Sequence, residues 1–353
     1  MEIELIVHET LPKRGGVATW VKMFIQGAKA NLQQVQVISS APCDIESAHL
    51  FLPRSFKNPI ALVYIFKLWK YINQNHHRTF LVCDAGSIIS VFIVSLLSKK
   101  DLKLALVFHG TEIQRLTKLF QKIGMRNSFS KFILSCKQVY ISECVRKITH
   151  ESQGCSDGMV VYNSFNISEN IKELSYKAGV DVMKVIVVGR LDPRKRIDKL
   201  IKSLNLINCA MEIKIVGVGY NRLILKNLAA RYAKSNDIID FMGAVNDKEL
   251  CDLYNSSDFV FVPSGRHKLA VEGFGLTVLE AISRGTIPIA IDIDGPGEIA
   301  RSLTTPLVKN DVNSIAKFFN ESYENGGLDI NTSNLNRFTP SFQFKSISAF
   351  LNE

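Results

Sequence analysis

No stretch of this sequence is long enough to cross a bilayer. Its most apolar run, Ile88 to Leu97, is broken by serines and ends at Lys99 and Lys100. A spanning helix needs about 20 apolar residues, so a buried core helix is expected there. The N-terminus lacks the basic-then-apolar layout of a secretion signal, because Met1 to Val7 alternates like a first strand. Cysteine is scarce and scattered. The seven cysteines (Cys43, Cys83, Cys136, Cys144, Cys155, Cys209, Cys251) are odd in number and contain no C-x-x-C pair. That argues against a disulfide framework or a zinc site and for reduced thiols in a cytoplasmic protein. Internal repeats and low-complexity segments are missing, and the pattern of any RRM, helix-turn-helix or zinc finger is not found, which excludes a recognisable nucleic-acid module.

What remains is a soluble globular composition: 46% hydrophobic, 22% charged and 10 prolines in 353 residues. That length is too great for one ordinary core and comfortable for two domains. The net charge of +10 sits almost wholly in the first half. Residues 1–168 hold twenty Lys and Arg against eleven Asp and Glu, whereas the remainder holds 23 against 22. A one-sided basic domain points to an anionic surface.

Short apolar, β-branched runs recur between longer helical stretches. In the first half they are Met1–Val7, Val35–Ser39, Thr79–Asp84, Leu104–His109, Gln138–Ser142 and Met159–Tyr162. In the second half they are Val185–Gly189, Glu212–Gly217, Ile239–Gly243, Phe259–Pro263 and Pro288–Asp292. Near-continuous apolar strands alternating with helices signal α/β architecture with parallel sheets covered on both faces. Two sheets of five or six strands divide the chain naturally, with a linker in the polar stretch 164–184. The tail from Phe338 to Glu353 follows Pro340 with apolar residues at helical spacing.

Three strand ends of the second half run into glycines or small residues, where open α/β sheets bind ligands. After Val185–Gly189 come Arg190 and Lys195, two cations five residues apart across Pro193. They suit a diphosphate, and equally a solvated basic loop. The strand from Glu212 ends in Gly217-Val218-Gly219, a G-x-G that permits close backbone approach and is weak evidence alone. The third junction carries most: Pro263-Ser264, then Glu272-Gly273-Phe274-Gly275-Leu276-Thr277 and Glu280. A glycine turn opens a helix whose first amides form an anion site. The two carboxylates beside it fit hydroxyl groups, and sugars present rows of them. The bland reading makes Glu272 a cap and Glu280 a surface residue.

In this order and spacing the motifs resemble the retaining GT-B glycosyltransferases of family four, over nearly the whole chain. The match includes Gly15-Gly16 in KRGGVATWV, the strand ending at His109-Gly110, Asn163, G-R-L-x3-K from Gly189 to Lys195 and V-G-x-G at Val216–Gly219. Phe241-x-Gly243, the pattern from Leu250 to Ser264, E-x7-E from Glu272 to Glu280, and Gly295-x2-Glu298 complete it. The resemblance implies two Rossmann-like domains with a central cleft. Residues 1–168 would bind the acceptor, helix 338–353 would cross back to them, and residues 169–337 would hold the nucleotide sugar.

By that resemblance Glu280 would hold the donor ribose and Glu272 the hydroxyls of the transferred sugar. The amides of Phe274, Gly275, Leu276 and Thr277 would contact sugar and phosphate, with Gly217 and Gly219 near the nucleotide. Arg190 and Lys195 would neutralise the diphosphate, and Gly15 and Gly16 would approach it from across the cleft. His109 would stand near the sugar at the reacting face, although a histidine at a strand end is more often structural. Catalysis would thus fall on His109, Glu272, Arg190 and Lys195. Asp292-x-Asp294 spells a metal clamp of another glycosyltransferase fold, but cationic side chains and a helix start fill that role here, so no metal or other cofactor is expected. The donor favoured is a UDP-sugar.

Arg196 stands after Lys195 where glycine is frequent, and Gly265–Val271, with Arg266, His267 and Lys268, is longer than in many relatives. The segment from Arg115 to Lys147 interleaves eight basic residues with Leu116, Leu119, Phe120, Ile123, Met125, Phe129, Phe132 and Ile133. It suits a helix at an anionic membrane, or a helix packed on its own domain with a solvated basic face. The expected protein is a peripheral enzyme acting on a lipid-linked or saccharide acceptor in lipopolysaccharide, O-antigen or capsule assembly. A GT-B nucleotide-sugar epimerase and a transferase to a small soluble acceptor are the alternatives.

Overall fold

The computed structural model describes residues 2–8, 15–39, 48–51, 60–153, 158–167, 174–176, 178–265, 271–326, 328, 330 and 333–353, without the side chains of 48–51, 60 and 61. Cys43, Cys155, Arg266, His267 and Lys268 lie outside them. The chain divides into two compact units, Met1–Ser164 with Arg337–Glu353, and Phe165–Asn336.

The first unit holds strands β1 (Ile3–Val7), β2 (Gln36–Ser39), β3 (Ala48–Phe51), β4 (Thr79–Val82), β5 (Lys103–Phe108), β6 (Lys137–Tyr140) and β7 (Met159–Val160). They form one parallel sheet in the order β3-β2-β1-β4-β5-β6-β7. Its helices are α1 (Gly16–Ala30), α2 (Ile60–Gln74), α3 (Ala85–Leu97), α4 (Glu112–Lys122), α5 (Arg126–Ser135) and α6 (Glu143–Gln153). Every residue of β1 and β4 is buried, the reason these strands read as unbroken apolar runs rather than alternating ones. The run beginning at Thr79 stops before Asp84 because that carboxylate accepts from the Ser87 amide at 2.9 Å and caps α3.

The second unit holds β8 (Val182–Val188), β9 (Ala210–Val216), β10 (Ile238–Gly243), β11 (Phe259–Val262), β12 (Ile287–Ile291) and β13 (Leu307–Val308). Their order is β10-β9-β8-β11-β12-β13, again parallel. The helices are α7 (Ile197–Ser203), α8 (Arg222–Tyr232), α9 (Asp247–Asn255), α10 (Leu276–Ser283), α11 (Asp294–Ser302) and α12 (Val312–Asn325). In both sheets strand order reverses beside the first strand, between β1 and β4 and between β8 and β11. Loops leaving those strand ends diverge and open a crevice.

The last helix, α13 (Pro340–Asn352), belongs to the first unit. It lies so close to α1 that a Cβ on Gly27 would overlap the Pro340 carbonyl oxygen. The Phe24 and Phe344 rings meet at 5.3 Å, and Ser164 Oγ donates to Gln343 Oε1 at 2.8 Å.

Two strands escaped the sequence pattern, so the sheets have seven and six strands where six and five were expected. Ala48–Phe51 shows no alternation, and β13 pairs with β12 through only two residues, too few for any period to register. The expected core helix at Ile88–Leu97 is α3. Its Ile88, Val91, Phe92 and Val94 are buried, but Leu96 and Leu97 are exposed, a departure from that reading.

Candidate functional site

The loop after β8 is shaped by three local choices. Gly189 has φ +146°. Asp192 then caps a 3-10 turn, Pro193–Lys195, by accepting from the Arg194 amide at 3.1 Å. Arg196 closes the turn at φ +43°, the left-handed conformation that glycine adopts without cost. This explains why glycine suits the position. The Arg196 guanidinium reaches Asp198 at 3.3 Å. The turn aims Lys195 inward, leaving it 9% exposed, whereas Arg190 swings outward with 73% of its side chain exposed and pairs with Asp192 at 3.3 Å.

This loop is stitched to the one after β9. The Gly189 amide donates to Val216 O at 3.0 Å, the Leu191 amide to Val218 O at 2.9 Å, and the Asn221 amide to Leu191 O at 3.1 Å. A Cβ on Gly217 would overlap the Gly189 carbonyl oxygen, and one on Gly219 would overlap that of Leu191. The G-x-G is therefore required by loop packing, a cause the sequence did not reveal. It holds the cation-bearing turn in place.

Across the reversal point, Phe259–Val262 leads toward Glu272. Gly275 sits at φ +100° at the start of α10, where a Cβ would press on the Pro296 Cα. Gly295 likewise leaves no room for a Cβ against Gly273 and Phe274, and its amide donates to Glu272 O at 3.1 Å. The starts of α10 and α11 are thus packed onto the same glycine turn. Phe274 is buried. The N-cap, Gly275, offers no capping side chain and no acid stands in the first turn, so the helix directs a positive end toward Leu276 and Thr277.

Glu272 meets both cations of the β8 loop. Its Oε2 accepts from Arg194 Nη1 and lies 3.2 Å from Lys195 Nζ. Burial pushes its carboxyl up, but Lys195 and Arg194 outweigh burial and hold it below the usual range. Two turns into the helix, Glu280 accepts from the hydroxyl of buried Tyr254 at 3.0 Å. The Arg284 guanidinium stands 4.7 Å above the Tyr254 ring, fixing that ring from its other face.

The structure therefore gathers Lys195 and Glu272 as expected from their spacing, with α10 beginning between Glu272 and Glu280. It does not gather Arg190 with them. Arg194, overlooked in the sequence, occupies that place, because a 3-10 turn brings Arg194 and Lys195 to the same side. The Asp192-Pro193 pair, a cap followed by proline, was the available signal. Asp292, of the D-x-D, is engaged by Arg301, and Asp294 opens α11 at φ +52°.

In the first unit, Gly15 and Gly16 open α1 without a side-chain cap. Both are exposed, and a Cβ on either would meet nothing within 4 Å. Nothing in the described fold requires glycine there, in contrast to Gly217 and Gly219. His109 follows β5 with both ring nitrogens buried and, among the described residues, without a hydrogen-bond partner of normal geometry. Its ring meets Trp20 edge-on at 5.6 Å. Burial pushes its pKa down to about 4, against the weaker opposing pull of Asp84 and the Cys83 backbone, so the imidazole is neutral near pH 7. Its amide donates to Glu112, whose carboxyl is raised by burial.

The basic segment 115–147 forms α4, α5, β6 and the start of α6. Leu116, Phe120, Phe129, Phe132 and Ile133 are buried, with Phe120 and Phe129 stacked at 4.3 Å and Phe92 edge-on to Phe120 at 4.9 Å. Most of the segment's apolar side chains are thus spent on its own core. Leu119 and Ile123 stay outside beside exposed Arg115, Lys118, Lys122 and Arg126. Among the described residues no helix is long and apolar enough to cross a membrane.

Residues 172–334 match the family described as glycosyl transferases group 1. A phosphatidyl-myo-inositol mannosyltransferase of Mycobacterium leprae is 24% identical over 85% of this chain and 81% of its own. An uncharacterized glycosyltransferase of Methanocaldococcus jannaschii is 27% identical over 59% of this chain, which spans only 54% of that relative's length. Two of the solved structures that cover the whole chain are similar to it in fold. They are Anabaena HepE in complex with UDP-glucose, with TM-score 0.70, 17% identity and 99% of that chain covered, and the apo lipopolysaccharide outer core galactosyltransferase WaaB, with 0.72, 16% and 100%.

Proposed function

We propose that this chain, which has the GT-B fold and matches the glycosyl transferases group 1 family over residues 172–334, transfers a hexose or N-acetylhexosamine from a nucleotide-diphosphate sugar, UDP-sugar favoured, to a glycan or lipid-linked saccharide. The observation that carries the proposal is Glu272 bridged to Arg194 and Lys195 beside an uncapped helix start, with Glu280 held by Tyr254. Glu272, kept ionised by neighbouring cations, binds sugar hydroxyls as an acceptor, and the same cations are at hand for a diphosphate.

In the proposed reaction the bond from the anomeric carbon to the diphosphate breaks and one to an acceptor oxygen forms on the same face, with retention. The acceptor's proton passes to the departing phosphate. Negative charge grows on that phosphate, and Lys195, Arg194 and the amides of α10 stabilise it. Arg190, on a flexible exposed stem, would fold inward onto the diphosphate. Glu272 orients the sugar and Glu280 the ribose. Neutral His109, with Gly15 and Gly16, would serve the donor and sugar from the first unit. The cationic set makes a resident metal unnecessary.

The acceptor is the finer part of the proposal. Membership of lipopolysaccharide, O-antigen or capsule assembly is supported by likeness to a lipid-directed mannosyltransferase and an outer core galactosyltransferase, and by the basic first half of the chain. A thermal-shift screen of nucleotides and nucleotide sugars tests the donor, since a tight ligand stabilises by mass action, about 2.7 kcal/mol at a hundredfold excess over its Kd. Stabilisation by UDP-sugars is expected. A screen without any stabilising nucleotide defeats the reading, and donor conversion without acceptor reveals an epimerase instead.

A further inference from the structure

The first unit carries an exposed apolar face that its core does not use. On α2, Tyr64, Leu68 and Ile72 are buried, while Leu62 (75% exposed), Val63 and Phe66 (60%) face out. Leu62, Phe66 and Trp69 recur at i, i+4 and i+7 and so form one stripe. That stripe adjoins the end of α3. Trp69 Nε1 donates to Leu97 O at 3.3 Å, the Phe66 and Trp69 rings stack at 5.8 Å, and Leu96 and Leu97 are exposed. Beyond Leu96 the face runs into a groove of about 480 Å³ between α3 and α5, with Phe92, Leu104 and Phe132 in its lining and Lys100 and Lys131 beside them.

The charge around this face is mostly positive, with exposed Asp101 in the lining of the groove as the exception. Lys67, Lys70, Lys99 and Lys100 are exposed on it, and from Ile60 to Lys100 the sole acidic residue is Asp84, which is buried as the cap of α3. Aromatic rings with aliphatic neighbours, ringed by lysines whose stems lie along apolar surface, match the boundary between anionic headgroups and acyl chains. A second copy of this chain would bring lysines against lysines. An acidic lipid surface offsets them.

We propose that α2 and the end of α3 form a docking face for an anionic membrane, with Leu62, Phe66 and Leu97 entering the headgroup layer and the four lysines meeting lipid phosphates. This rests on the lipid-linked acceptor reading for its purpose, and it relocates the membrane contact. The basic segment 115–147 leaves Leu119, Ile123 and Leu134 exposed, scattered over two helices, whereas α2 and the end of α3 leave Leu62, Val63, Phe66, Leu96 and Leu97 exposed side by side.

Co-sedimentation of the full chain with phosphatidylcholine vesicles, with and without phosphatidylglycerol, tests it. Binding only to the anionic vesicles is expected. Phe66→Asp and Leu97→Asp should each weaken it about tenfold or more, and Lys67→Gln with Lys70→Gln about fivefold per charge. Indifference of the wild type to anionic lipid overturns the proposal. So does binding lost in Leu119→Asp and Ile123→Asp but kept in Phe66→Asp, which would move the contact to α4. A dimer that Phe66→Asp converts to monomer would make the face a self-association surface. The lysine pair decides if the apolar variants misfold. A UDP-sugar thermal shift, run on wild type and Phe66→Asp, separates this failure from failure of the donor reading.

Discussion

The two units share one topology and differ in what stands at the reversal of strand order. At β8 and β11 the loops carry Lys195, Arg194 and Glu272 in mutual contact. At β1 and β4 the neighbouring positions carry glycine, a neutral buried histidine and Asp84, which is occupied in capping α3. Among the described residues, one fold thus presents paired cations and a carboxylate in one unit, and a glycine, a histidine and a capping aspartate in the other. The crevice comes from strand order. Its chemistry comes from side chains that two loops bring together.

The contrast is broken most severely by removing the buried cation. Lys195→Ala should lower kcat/KM about a hundredfold to a thousandfold, the range for losing one group aimed at developing charge. Arg194→Ala should follow it. Arg190→Ala, starting from an exposed side chain, should cost less than Arg194→Ala in initial-rate assays. The reverse order would mean that the donor-bound loop differs from the one described.

Glycines sharpen the comparison next. Gly217→Ala forces a side chain onto the Gly189 carbonyl at φ +135°, so urea unfolding should show a loss of about 3 kcal/mol. Gly15→Ala meets nothing and should change stability by less than about 0.5 kcal/mol. If Gly15 serves a ligand, that variant loses activity while its unfolding midpoint stays put. Equal effects on stability would erase the distinction between a glycine that packing needs and one that a ligand needs.

The titration of His109 confines its effect to acid pH. Its folded pKa of about 4 lies below the ordinary 6.5, so the unfolded chain binds the extra proton first. The stability linked to this group is fully present above pH 6.5 and is lost as pH falls toward 4, at most about 3 kcal/mol. His109→Gln should flatten the stability profile across that window and leave it unchanged above pH 7. A wild-type profile without that slope would place the imidazole in water.

Strands and their parallel arrangement were legible because buried strands leave long apolar runs. Glu272, Lys195 and the helix start at Leu276 were legible because each lies at a strand end with glycine beside it. Arg190 and Arg194 could not be told apart, since which of two nearby cations points inward depends on the 3-10 turn between them. Gly217 and Gly219 read as ligand glycines because close approach to a ligand and to a neighbouring loop require the same missing Cβ. The segment 115–147 read as amphipathic, and a helical period does not say whether core or lipid receives the apolar side.

Composition and pattern by themselves determined the doubly wound architecture, the division into two units and the strand ends where glycines, cations and carboxylates gather, because these depend on periodicity and on strand-to-loop spacing. Tertiary structure alone decided that Arg194 joins Lys195 on Glu272, that Tyr254 holds Glu280, and that α2 rather than α4 leaves its aromatic stripe uncovered. Those outcomes turn on distances of a few ångströms between segments up to about eighty residues apart, and hydrogen bonds, ion pairs and burial all change sharply over that range.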